Sequence, residues 1–141
     1  MSFVLDNSVT MRWFVGDGRR EEMAYARAVL DALKKSSALV PVTWSLEVSN
    51  VLARVEARRV ATEARSEAFV AILGGLRIEV DEETSSHALS DTLHLARRYR
   101  LSAYDASYLE LALRAGSPLA TLDIDLKKAA GQAGVKRFLD G

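Results

Sequence analysis

The sequence predicts an α/β fold: a three-layer α/β/α sandwich around a central parallel sheet of four to five short strands. Three observations predict it. Short apolar runs of strand length alternate with longer stretches of helical period, the pattern of βαβ units and a parallel sheet. The first run, Phe3-Val4-Leu5, is apolar without alternation, as suits a strand buried on both faces. The first and last runs are each followed by an acid, Asp6 and Asp123, at the strand end where open α/β sheets place their ligands.

Composition sets the bounds. The chain has 141 residues, enough for one domain with a real core, read here as a single unit over residues 1–141. Lys+Arg and Asp+Glu are both 19, so any nucleic-acid site must come from local clustering of basic residues. The absence of cysteine excludes disulfides and thiolate metal sites. Two histidines argue against a zinc enzyme. No apolar run spans a membrane, and no basic segment precedes the first apolar residues, so the expectation is a soluble cytoplasmic protein without a signal peptide.

The elements follow in order. Phe3–Leu5 is the first strand. Asn7 and Ser8 are turn and cap residues, and Ser8–Val15 makes a short helix closed by Gly16-Asp17-Gly18. Asp6 is open to two readings, cap of that helix or first ligand of a magnesium site. Glu21–Lys35 is a longer helix with Met23, Ala26, Val29, Leu30 and Leu33 on one face. Ala38–Val42 is the second strand, with Pro41 marking its exit. Thr43 caps a helix to about Arg59. Its apolar stripe is Trp44, Val48, Val51, Leu52 and Val55, and Glu47, Asn50, Arg54 and Arg58 run beside it. That puts Glu47 at the rim of the buried face; a solvated acid favoured by the helix dipole is its plainer reading.

Thr62–Leu73 is a helix using Ala68, Phe69, Ile72 and Leu73, stopped by Gly74-Gly75. Leu76–Val80 is the third strand. Asp81-Glu82-Glu83 open the next helix and Arg97, Arg98 and Arg100 close it, matching the macrodipole. His87 and His94, seven apart on that helix, read as ordinary helix residues, since two-His metal sites use tighter spacing. Ser102 and Asp105 have capping-box spacing, so Asp105 reads either as part of that box or as a ligand facing the open end of the sheet. Ala106–Ala115 continues as a helix apolar nearly all round, buried on more than one side. Pro118–Leu122 is the fourth strand. Asp123 caps the helix Asp125–Ala130 or serves as a ligand, and Val135–Leu139 is a candidate edge strand.

With right-handed crossovers, Asp6, Glu47, Asp105 and Asp123 gather at one edge of the sheet. Close carboxylates repel one another, and a divalent cation removes that penalty. Hard oxygen donors without cysteine favour Mg²⁺, with Mn²⁺ as an alternative.

These residues carry a resemblance. The sequence resembles PIN-domain proteins of the VapC toxin type over essentially its whole length. The features are Asp6 with Ser8, Glu47 with Asn50, Tyr104-Asp105-Ala106, and Thr121-Leu122-Asp123. Ser102 stands where Thr is common. The resemblance implies a metal-dependent endoribonuclease acting as a toxin, a homodimer, and a co-encoded antitoxin that wraps an apolar groove. Surplus apolar surface around Trp13, Phe14 and Trp44 is consistent with that groove, with core packing as the other reading. In this scheme Asp6, Glu47 and Asp105 are the main metal-holding set and Asp123 completes it; Asp125 is a weaker candidate. Ser8 and Thr121 orient a carboxylate or water, Asn50 positions Glu47 or a phosphate, and Arg54, Arg58 and Arg59 are candidate RNA contacts. Two alternatives compete. One is a catalytically silent PIN-like binding scaffold. The other is an aspartyl-nucleophile phosphatase, disfavoured because Ser8 stands where a second Asp is usual. A receiver-like signalling domain lacks its paired acids and late Lys.

Overall fold

The computed structural model describes residues 2–139. Four strands, β1 (Ser2–Leu5), β2 (Ser37–Val40), β3 (Ile78–Val80) and β4 (Leu119–Ala120), form one sheet in the order β3-β2-β1-β4. All three pairings are parallel. β1 is central, and Phe3, Val4 and Leu5 have no exposed surface. Each such side chain contributes about 1.5–3 kcal/mol by leaving water.

Eight α-helices connect the strands: α1 (Asn7–Arg12), α2 (Arg20–Ala32), α3 (Thr43–Ala57), α4 (Glu63–Gly74), α5 (Thr84–His87), α6 (Leu93–Tyr99), α7 (Ala103–Ala115) and α8 (Ile124–Gln132). The chain lays β2 and then β3 on one side of β1, and returns to lay β4 on the other. Right-handed crossovers then put α1–α4 on one face and α5–α7 on the opposite face. The packing agrees: α1 meets α2 and α3, while α7 meets α6, β1 and β4. The direction of strand addition reverses beside β1, so the crevice of the fold opens between the carboxyl ends of β1 and β4. Asp6 and Asp123 stand at those ends.

Several boundaries differ from the sequence expectation. α1 ends at Arg12 rather than Val15. Thr43 does not cap α3: Val42 is the cap residue, and the Thr43 hydroxyl is hydrogen-bonded with Ser107 Oγ at 3.0 Å. In α4 only Ser66 and Phe69 are buried, and Ile72 is 59% exposed. The helix expected from Asp81 to Arg100 begins at Thr84 and is interrupted by a π-helical turn over Ala88–Thr92. The expected strand Val135–Leu139 is reduced to one parallel bridge between Leu119 and Arg137. The apolar surplus also sits elsewhere. Phe14 and Trp44 are 6% and 7% exposed. The indole N–H groups of Trp13 and Trp44 donate to Ala26 O and Thr10 Oγ1. Leu46, Val70 and Ile72 are the exposed apolar side chains of α3 and α4.

α7 follows the expectation closely. Ala106 through Ala112 are all buried, and Gly116, at φ +62°, ends the helix in the left-handed conformation that glycine accepts without strain.

Candidate active site

Asp6 occupies the backbone cap position of α1, yet its side chain makes no cap bond. Instead Ser8 Oγ donates to Asp6 Oδ2 at 2.6 Å and Thr121 Oγ1 donates to the same oxygen at 2.7 Å. Each hydroxyl is itself fixed by a backbone amide: Leu122 N–H donates to Ser8 Oγ at 2.9 Å, and Asp123 N–H to Thr121 Oγ1 at 3.0 Å. Asp6 is 3% exposed, and its Oδ1 receives no hydrogen bond from the described residues. A buried carboxylate held through one oxygen leaves its other oxygen available for a ligand.

Glu47 lies in the second turn of α3 and is half-buried. Tyr108 OH donates to its Oε1 at 2.6 Å, and Tyr108 is fully buried. The sequence reading counts Tyr108 within the apolar helix Ala106–Ala115 and has Asn50 position either Glu47 or a phosphate. Asn50 is exposed, and Tyr108 holds Glu47. The available signal was a tyrosine inside a buried run, because a buried phenol needs a polar partner.

Asp105 lies in the first turn of α7. Half of the expected capping box forms: Ser102 Oγ accepts the Asp105 amide at 3.0 Å. Asp123 does cap α8, through Oδ2 accepting Leu126 N–H at 2.8 Å. Asp125 is exposed in the first turn of α8.

The carboxylates act on one another. Burial pushes Asp6 up to about 6; the two hydroxyl bonds oppose that rise, and the charges of Glu47 and Asp123 add to it. Asp105 is also pushed up to about 6, by burial first and then by Asp123, Asp6 and Asp125. Glu47 is raised by burial and by Asp105, against the bond from Tyr108. Among the described residues, none of these acids forms an ion pair with Lys or Arg. These acids are coupled through charge, and carboxylate oxygens are the donors a hard divalent cation takes; the donors that lie within 4.8 Å of one another among the described residues are those of His87, Asp91 and Glu110, not these.

A second acidic cluster is already compensated. Arg114 donates to both Glu110 oxygens, at 2.7 and 2.9 Å, and to both Asp81 oxygens, at 3.1 and 2.6 Å. His87 Nδ1 lies 3.1 Å from Asp91 Oδ2 and 3.9 Å from Glu110 Oε2. The donors of His87, Asp91 and Glu110 are within 4.8 Å of one another, but the guanidinium supplies the positive charge a cation would bring. His87 and His94 line one cavity, which seven-residue spacing on a helix permits.

Arg54, Arg58 and Arg59 are exposed. Arg54 stands about 10 Å and Arg58 about 17 Å from Glu47 along the axis of α3.

Replacing Tyr108 by Phe removes the donor on Glu47 and also the hydroxyl that meets the Asn7 backbone amide. The expected loss is about 1 kcal/mol, because solvent reaches the partner, or roughly 2–4 °C in a thermal melt. Mg²⁺ binding, read by calorimetry, should weaken several-fold. Unchanged Mg²⁺ affinity would remove Tyr108 from the site.

The chain is an α/β protein with a parallel sheet and acids at its switch point, where open α/β sheets place their ligands. Comparison narrows the class: the PIN domain family matches residues 3–132, and the chain belongs to that family. No curated protein matches it. Among solved structures it is similar to VapBC2 from Rickettsia felis bound to a DNA fragment from their promoter. That match has a TM-score of 0.63 and 11% identity, over 92% of this chain and 93% of the other. It is also similar to PAE2754 from Pyrobaculum aerophilum, with a TM-score of 0.62 and 22% identity over 92% and 87%.

Proposed function

We propose that this protein is the toxin of a toxin–antitoxin pair, an endoribonuclease that depends on Mg²⁺ or Mn²⁺. The observation that carries the proposal is Asp6: buried at the switch point, held by two hydroxyls on one oxygen, and coupled to three further acids without a cation. Membership of the PIN family and the fold shared with VapBC2 support the toxin reading.

In this reading Asp6, Glu47 and Asp105 hold the cation. Asp123 contributes the carboxylate oxygen left over from capping α8, directly or through water. When bound, the cation activates water for attack on phosphorus and stabilises the leaving oxygen. Ser8 and Thr121 fix the orientation of Asp6, and Tyr108 that of Glu47. Asp125 stands at the rim. Arg54 is a candidate contact for the RNA backbone, with Arg58 and Arg59 farther along the same helix. No side-chain nucleophile is required, and Ser8 in place of a second Asp weighs against the phosphatase reading. The expected partners are a cognate antitoxin and a second copy of the chain. No helix among the described residues is long and apolar enough to cross a membrane, in keeping with a cytoplasmic site of action.

The test is RNA cleavage by the purified chain, freed of antitoxin, with Mg²⁺, with Mn²⁺ and with EDTA. Cleavage that requires the metal supports the proposal. Absence of cleavage, together with a melting temperature indifferent to Mg²⁺, would overturn it in favour of a silent scaffold.

A further inference from the structure

Outside the acidic crevice, one cavity is lined by three cationic side chains. It has a volume of about 490 Å³ and lies along the outer side of β4, lined by Thr121, Lys127, Lys136 and Arg137 among others. Thr121 is shared with the acidic site, since its hydroxyl donates to Asp6 Oδ2. Lys127 is on α8, one turn beyond Asp123, and its amide donates to the Asp123 carbonyl. Lys136 and Arg137 are pinned to β4: Leu119 N–H donates to Lys136 O at 3.0 Å, and Phe138 N–H donates to Leu119 O at 2.9 Å.

Arg137 is set in place. Its guanidinium carbon lies 3.9 Å from the centroid of the Tyr25 ring, a cation–π contact that orients the planar group. Its Nε is buried and, among the described residues, has no hydrogen-bond partner. Among the described residues, none of Lys127, Lys136 and Arg137 is paired with a carboxylate. A buried donor without an acceptor costs free energy until an acceptor arrives. Three cations around one cavity define the charge of that acceptor, and a guanidinium offers the geometry that phosphate oxygens match.

We propose that this cavity binds a backbone phosphate of the RNA strand next to the phosphate being cleaved. The proposal rests on the nuclease reading for its substrate, and it assigns the direction in which the strand leaves the acidic crevice: past Thr121 and along β4. A nuclease site made of carboxylates repels the chain it must bind. A cationic cavity that shares one wall with that site draws the flanking phosphates and leaves the acids free for the metal.

The test uses Lys127→Gln/Lys136→Gln, since both lysines are exposed and their loss leaves the core untouched. Binding of a labelled single-stranded oligoribonucleotide is followed by fluorescence anisotropy across a salt series, with Ca²⁺ in place of Mg²⁺ and the RNA checked for integrity. Lys34→Gln/Lys35→Gln, in the turn before β2 at the amino ends of the strands, controls for net charge. Each lost phosphate contact flattens the log K against log salt slope by about 0.7, so the expected change is about 1.4 for the cavity variant and near zero for the control. In cleavage assays KM should rise with kcat held within about twofold. Equal slopes for the cavity variant and the control, or no RNA binding by the wild type, would overturn the proposal. RNA binding with the predicted slope change but no cleavage and a melting temperature indifferent to Mg²⁺ would leave the cavity as an RNA-phosphate site and remove the nuclease reading. Cleavage with unchanged slopes would do the reverse.

Discussion

Asp6→Asn should abolish metal-dependent RNA cleavage, by at least about 100-fold, without unfolding the protein. The size follows from what is lost. Partners that merely orient a ligand are worth about 10–100-fold, and a ligand itself is worth more. Asn keeps the shape of Asp, and its carbonyl oxygen still accepts from Ser8 and Thr121. It removes a buried negative charge that has no countercharge. Metal-free stability at pH 7 should therefore hold or rise while activity falls, a combination that mere damage to the fold does not produce. The Mg²⁺-induced rise in melting temperature should vanish with the activity. Equal cleavage by both proteins would remove Asp6 from the metal site and point to a contaminating nuclease.

The second large effect is on stability. Without a divalent cation the protein should be more stable near pH 5 than at pH 7. Asp6 and Asp105 titrate near 3.8 when unfolded and at about 6 when folded. The folded state therefore binds protons more tightly, and stability falls as pH rises from about 4 to about 6. For Asp6, fully buried, the penalty is on the order of 3 kcal/mol. For Asp105, half-exposed, solvent screening makes it smaller. Two groups act in the opposite sense at lower pH. Asp81 is lowered chiefly by its bonds from Arg114, and Glu22 chiefly by its bond from the Arg19 amide. Their contributions are present above the unfolded values and are lost as pH falls below about 4. The metal-free optimum thus lies near pH 4, and stability at pH 5 still exceeds that at pH 7. At pH 7, Mg²⁺ at 100 times its dissociation constant should restore about 2.7 kcal/mol. Melting curves at pH 5 and 7, with and without Mg²⁺, check both points. A curve flat between those pH values would mean that the acids are not buried together.

The features legible in the sequence were those carried by a local pattern. Phe3–Leu5 reads as a buried strand from three residues, and the strand–acid–helix order at Asp6 and Asp123 is visible within each stretch. Right-handed crossovers then bring distant acids to one edge without further information. What escaped depends on contacts across the chain. Tyr108 and Glu47 are 61 residues apart, and Arg114 and Asp81 are 33 apart. Arg114 carries no local signal beyond a basic residue in the last turn of α7. The cationic cavity was invisible because Lys127, Lys136 and Arg137 meet only when the 136–138 segment pairs with β4. The short β4 had a local cause that was not read: the Thr121 side chain takes the Asp123 amide, which ends the ladder after Ala120.

The bond between Thr121 and Asp6 spans 115 residues of sequence. Chains are made from the amino end, so the first acid is synthesised long before the hydroxyl that orients it. β1 likewise waits for β4, its neighbour on one side. A nascent chain therefore carries an incomplete centre until nearly all of the sheet has been translated, and long-range parallel pairing is slow to form even then. Under the proposed ribonuclease function this order of assembly would be protective, because the acidic centre is completed only late, after release and folding.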